Sequence, residues 1–121
     1  MAMSVAAKLQ IKPTHRVCVL HLPEGVDLEL PSGIATTADP TDATAVVLFA
    51  TDRRELRERA APLLDAARRD ALAWIAYPKA RQLGTDLTRD NLWDSLQAHD
   101  IKPVRQVAID ETWSGLRFRP A

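Results

Sequence analysis

The stretch "AYPKARQLGTDLTRDN", residues 76–91, gathers residue types that can hold an anion. Lys79 follows the apolar run "LAWIAYP" directly, so a strand there delivers its ammonium to the carboxyl edge of a sheet. "TDLTRDN" then carries Asp86, Arg89 and Asp90 into the start of a helix. The first N–H groups of a helix have no intrahelical acceptor and favour negative charge. Lys79, Arg89 and that helix end could together hold a carboxylate or a phosphate. The same residues suit a loop that satisfies itself. Asp86 or Asp90 would then pair with Lys79 or Arg89, and Asp90 or Thr88 would cap the helix. Structural ion pairs cluster in the same way as functional ones, and the loop clasp is the preferred of the two readings.

His21 joins this group because it ends the run "RVCVLHL" (16–22), and α/β ligand sites form at the carboxyl ends of strands. The plainer expectation for it is a half-buried ring satisfied by a backbone carbonyl. His15, His21 and His99 show no helical i, i+4 pairing, and Cys18 is the single cysteine, so no metal site is expected. Cys18 sits inside the apolar run and should be a buried, inert thiol. No G-x-S-x-G occurs around Ser4, Ser32, Ser95 or Ser114, which argues against a serine hydrolase.

The elements that must position these residues follow from periodicity. "SVAAKLQ" (4–10) reads as a short helix capped by Ser4 and stopped before Pro13. Three continuous apolar runs, 16–22, 45–50 and 72–77, have the character of strands covered on both faces. Between the last two, Leu56, Ala60, Leu63, Leu64 and Ala67 form a helical stripe. Asp52 or Thr51 can cap its start, and Pro62 should break it near residue 61. Parallel strands joined by a covering helix make a right-handed βαβ unit. A second helix, 90–100, with Leu92, Trp93 and Leu96 inward, leads to a strand at 104–109. Too few residues separate that strand from "LRFR" (116–119) for a crossover, so the two must form an antiparallel hairpin. Residues 23–43, with three prolines and two glycines, have room for one short strand near Ile34–Thr37. The fold class is therefore α/β, three-layered, with a mostly parallel sheet and a C-terminal antiparallel hairpin in one domain spanning 1–121.

Sixteen basic side chains cancel sixteen acidic ones, so no global field draws in nucleic acid or an anionic membrane. The arginines of "RRELRER" and "ARRD" alternate with Glu55, Glu58, Asp65 and Asp70, as on a solvated helix face. Arg105, Arg117 and Arg119 could line one face of the hairpin, with few aromatics to stack on a base. No apolar stretch approaches the roughly twenty residues of a membrane helix, and the N-terminus is too short and polar for a signal peptide. A reducing cytoplasm fits this pattern. Zero net charge, three tryptophans and an open sheet edge point to a homodimer.

The segments "LAWIAYPK", "TDLTRDNLW", "IKPVRQVAIDETWSGLRFRP" and "KLQIKPTHRVCVLHLPEG" closely resemble the uncharacterised bacterial family called domain of unknown function 3052. The resemblance covers most of the chain and departs at 26–36, where this sequence is shorter. It implies a degenerate methyltransferase-like fold, in which the last strand runs antiparallel between its two predecessors, and it brings no established activity. On that fold, strand 113–119 should pair with 72–77 on one side and 104–110 on the other. Cofactor binding there depends on a glycine-rich turn after the first strand. Here the turn is "HLPEGV", with Gly25 alone, and no acidic residue is secured at the end of a second strand. Neither S-adenosylmethionine nor a dinucleotide is expected as cofactor. Two readings of function stand. One is a noncatalytic Rossmann-like binding or interaction module. The other is a small enzyme or anionic-metabolite binder using Lys79, Asp86, Arg89, Asp90 and His21.

Overall fold

The computed structural model describes residues 3–80 and 82–121. A short helix α1 (Val5–Lys8) precedes strand β1 (Arg16–Leu20), a two-residue strand β2 (Ala35–Thr36) and strand β3 (Ala45–Phe49). Helices α2 (Arg53–Arg59) and α3 (Ala61–Arg68) lead to strand β4 (Leu72–Pro78). Helix α4 (Arg89–Leu96), strand β5 (Ile101–Ala108) and strand β6 (Trp113–Pro120) complete the order. The six strands form one mixed sheet in the order β2-β1-β3-β4-β6-β5. Strands β2, β1, β3 and β4 are mutually parallel, and β6 runs antiparallel to both neighbours, β4 and β5. The pairing expected of residues 113–119 is the pairing observed.

Local chemistry explains the boundaries. Ser4 Oγ accepts from the Ala7 N–H, which starts α1. Asp52, not Thr51, caps α2: its carboxylate accepts from the Glu55 N–H at 2.8 Å, while Glu55 reaches back to the Thr51 N–H. Pro62 stands in the first turn of α3 and splits the predicted stripe into two helices at Ala60. The i, i+4 pairs Arg54–Glu58, Arg59–Glu55 and Arg69–Asp65 form along the exposed faces. Pro103 is tolerated in β5 because that strand is the sheet edge, where the register also shifts between Pro103 and Arg105.

Alternation along the strands divides the core in two. Val46, Leu48, Ala73, Ile75, Leu116 and Phe118 meet α2, α3 and α4 on one face. On the other, Val47, Phe49, Trp74 and Trp113 meet α1 and the irregular segment around Leu28. That second face has only a four-residue helix as its cover, supplemented by Val26, Leu30 and Ile34. Cys18 is buried as expected, and burial, then the charge of Asp39, pushes its thiol above the usual range.

One tryptophan departs from its expected place, and another fills the core on the opposite face. Trp93 is 42% exposed, because Leu92 and Leu96, four residues apart, set the buried face of α4 and Trp93 lies a full 100° step beyond. Trp113 is the first residue of β6, where the expected strand 113–119 begins, and is 4% exposed. Its ring meets Phe49 edge-on, with centroids 5.1 Å apart.

Candidate functional site

The carboxyl edge of the parallel strands carries the residues singled out from sequence, and among the described residues no side-chain hydrogen bond or ion pair joins any two of them. His21 follows β1 with φ +60° and is exposed, and its ring makes no hydrogen bond among the described residues. The half-buried, carbonyl-bound histidine is therefore not what forms: the left-handed turn swings the chain out of the strand and its side chain toward solvent. Lys79 leaves β4 half-buried, and its backbone N–H donates to the Thr112 carbonyl at 2.7 Å. Among the described residues its ammonium has no ion pair within 4 Å, and neither has Arg89.

The expected pairing of Asp86 or Asp90 with Lys79 or Arg89 is thus replaced by something else. The Asp86 carboxylate accepts from the Arg53 N–H at 2.8 Å, at the first residue of α2. Its own carbonyl accepts from the Asn91 amide at 2.7 Å. Thr88 caps α4 reciprocally with Asn91: Thr88 Oγ1 accepts from the Asn91 N–H, and Asn91 Oδ1 accepts from the Thr88 N–H. Arg89 and Asp90 are exposed and line a groove with Trp93, Lys102 and Pro103. They lie near Tyr77, whose phenol is raised by burial, with the Arg89 charge opposing and that of Asp90 adding.

Asp52 and Asp86 therefore both spend carboxylates on the first turn of α2, while Glu55 divides its own between the Thr51 N–H and Arg59. The loop holds that helix start by charge-to-dipole hydrogen bonds, not by a salt bridge. Asp86→Ala should lower unfolding stability by about 0.5–2 kcal/mol, the range for losing a capping acceptor. Lys79→Ala should change it by less than about 0.5 kcal/mol. Urea unfolding of the two variants checks this, and equal losses would contradict the assignment.

A second cleft lies at the opposite, amino edge, where β1, β3 and β4 begin and β6 ends. It has a volume of about 530 Å³, within the range of small-ligand sites. Two helix ends build it. Gln10 and Asp70 both adopt left-handed backbone just past α1 and α3, at φ +63° and +60°. Paired bonds close each end: Gln10 N–H to Ala7 O with Ile11 N–H to Ala6 O, and Asp70 N–H to Ala67 O with Ala71 N–H to Ala66 O. Arg117 Nη1 donates to Gln10 Oε1 at 2.7 Å, and Arg117 Nε is enclosed with no partner. Burial, followed by the charge of Arg119, lowers this guanidinium, with Asp70 opposing and Arg105 adding. His15 Nδ1 accepts from the Lys12 N–H at 2.9 Å, which leaves the proton of the neutral ring on Nε2. Burial lowers His15 as well, helped by Lys12 and Arg117. Sequence reading placed Arg117 only on a hairpin face and weighed His15 only as a metal ligand. Their meeting depends on contacts between the two ends of the chain.

Among family models, curated proteins and solved structures, none matches this chain.

Proposed function

We propose that this chain is a noncatalytic binding or interaction module built on a shortened methyltransferase-like sheet, the fold that its resemblance to domain of unknown function 3052 implies. The strand order supports the kinship, because β6 inserts antiparallel between β4 and β5. The observation that carries the loss of cofactor chemistry is the state of the carboxyl edge. A Rossmann-type site presents a glycine-rich turn and free helix N–H groups to an anionic ligand. Here the turn after β1 has Gly25 as its single glycine. The helix after β3 has N–H groups of its first turn occupied by Asp52 and Asp86. A phosphate or carboxylate approaching that turn would meet the carboxylates of Asp52 and Asp86, which already hold its N–H groups. Titration calorimetry with S-adenosylmethionine and with NAD should accordingly register no binding. Micromolar affinity for either would overturn this reading.

One observation favours the second reading, an anionic-metabolite binder at the Lys79–Asp90 loop: Lys79 and Arg89 lack ion pairs among the described residues. Against it, Asp86 points its carboxylate at α2, and Arg89 shares its groove with Asp90. The loop is better accounted for as the clasp of the α2 start.

A further inference from the structure

We infer that the amino-edge cleft is a binding site for a small oxyanion, a phosphate or a carboxylate group, held by Arg117, His15 and Lys12. Three cations, Lys12, Arg69 and Arg117, line the cleft against one carboxylate, Asp70. That carboxylate is already neutralised, since Arg119 Nε and Nη2 each donate to it at 3.0 Å. Arg69 is also spent: its Nη1 and Nη2 donate to the carbonyls of Ala43 and Pro40 at 2.8 and 2.7 Å. Those bonds fix the wall of the cleft.

What remains is a set of donors without acceptors. Arg117 uses Nη1 on Gln10 and keeps Nε enclosed and unpaired, and Nη2 makes no hydrogen bond among the described residues. The guanidinium is half-buried, its Nε is shut off from water, and a negative charge beside it would offset that cost. His15 offers an Nε2–H, because Nδ1 is fixed as acceptor by the Lys12 backbone. Lys12 is exposed and free of ion pairs among the described residues. Gln10 accepts the backbone strain of the left-handed region, where non-glycine residues are uncommon, and from there its amide oxygen holds the guanidinium. An oxyanion supplies acceptors to all three donors and offsets the repulsion among them. This site shares no residue with the carboxyl edge, so its failure leaves the noncatalytic reading untouched, and the converse also holds.

The test follows the histidine ring resonances by NMR at constant pH and ionic strength while sodium phosphate, or in a second arm sodium succinate, replaces chloride. The His15 signals should move saturably in at least one arm, with those of His21 and His99 unmoved. The arm that responds tells phosphate from carboxylate. Lys12→Ala, which removes an exposed side chain, should weaken the response about tenfold, the scale of one lost charge-assisted contact. Arg117→Lys should weaken it at least as much, and Arg89→Ala at the opposite edge should leave it unchanged. A His15 signal that does not saturate in either arm overturns the assignment. So does a response that survives Lys12→Ala and Arg117→Lys, or one that disappears in Arg89→Ala.

Discussion

Trp74→Ala should destabilise the protein by about 3–5 kcal/mol, the range for removing a fully buried aromatic ring from a packed core. Trp74 is 0% exposed in the middle of β4, and its position explains how a four-residue helix can cover one face of the sheet. The indole Nε1 donates to the Leu9 carbonyl at 2.8 Å, just past the end of α1. Gly115 on β6 makes the approach possible, because a Cβ there would stand 3.3 Å from Trp74 Cε3 and 3.4 Å from Leu9 Cδ2. One ring thus ties α1 to β4 by a hydrogen bond and by packing. Trp74→Phe separates the two contributions. It keeps most of the apolar area and leaves the Leu9 carbonyl without its partner, which costs about 1–3 kcal/mol. Urea unfolding followed by circular dichroism measures both. A loss below about 1 kcal/mol for the alanine variant would mean that α1 is not anchored through this residue.

On the opposite face, Phe118→Ala should cost a similar amount, about 3–5 kcal/mol, while Trp93→Ala should stay within about 0.5 kcal/mol of the parent. Phe118 is 0% exposed in β6, opposite Ala73 of β4 and Pro103 of β5. Its ring fills the space that the small Ala73 leaves beneath the helices and joins the cluster with Leu63, Leu92 and Leu96. Trp93 is the larger side chain and belongs to the helix covering that cluster, yet it faces outward. The comparison asks whether size or phase determines the core. Denaturant midpoints that rank Trp93→Ala as the more damaging substitution would refute the face assigned to α4.

That contrast also marks where the sequence was readable. The strands were legible because β1, β3 and β4 are covered on both faces and read as unbroken apolar runs. The helix break at Ala60 was legible because Pro62 allows little else. The hairpin was legible from loop length alone, and the place of β6 between β4 and β5 came from the family resemblance. Trp93 was misread because a bulky apolar residue beside Leu92 fits a helical stripe as long as the phase is not counted from Leu92 and Leu96. Asp86 was flagged as part of a loop cluster, but its partner, the Arg53 N–H, lies 33 residues earlier and carries no side-chain signature. The amino-edge cleft was further out of reach. Gln10 and Arg117 are 107 residues apart, and no periodicity or motif connects positions so distant. Local rules locate elements and caps; contacts between the two ends of the chain emerge only from the sheet that brings them together.

The insertion of β6 between β4 and β5 sets an order of events during synthesis. Strand β5 has no neighbour other than β6, and β4 has its second edge open until β6 arrives. Everything through β4 can pair as it emerges from the ribosome, since β1, β2, β3 and β4 are adjacent and parallel. From that moment until residues 113–120 are made, the nascent protein presents a seven-residue apolar edge, "LAWIAYP", with unused N–H and C=O groups. Such an edge is a template for pairing with another chain. Pro78 at the end of β4, which has no N–H to offer, and the charge of Lys79 just after it blunt that edge. A pause in translation between α4 and β6 would lengthen the interval, and aggregation during expression is where that delay would register.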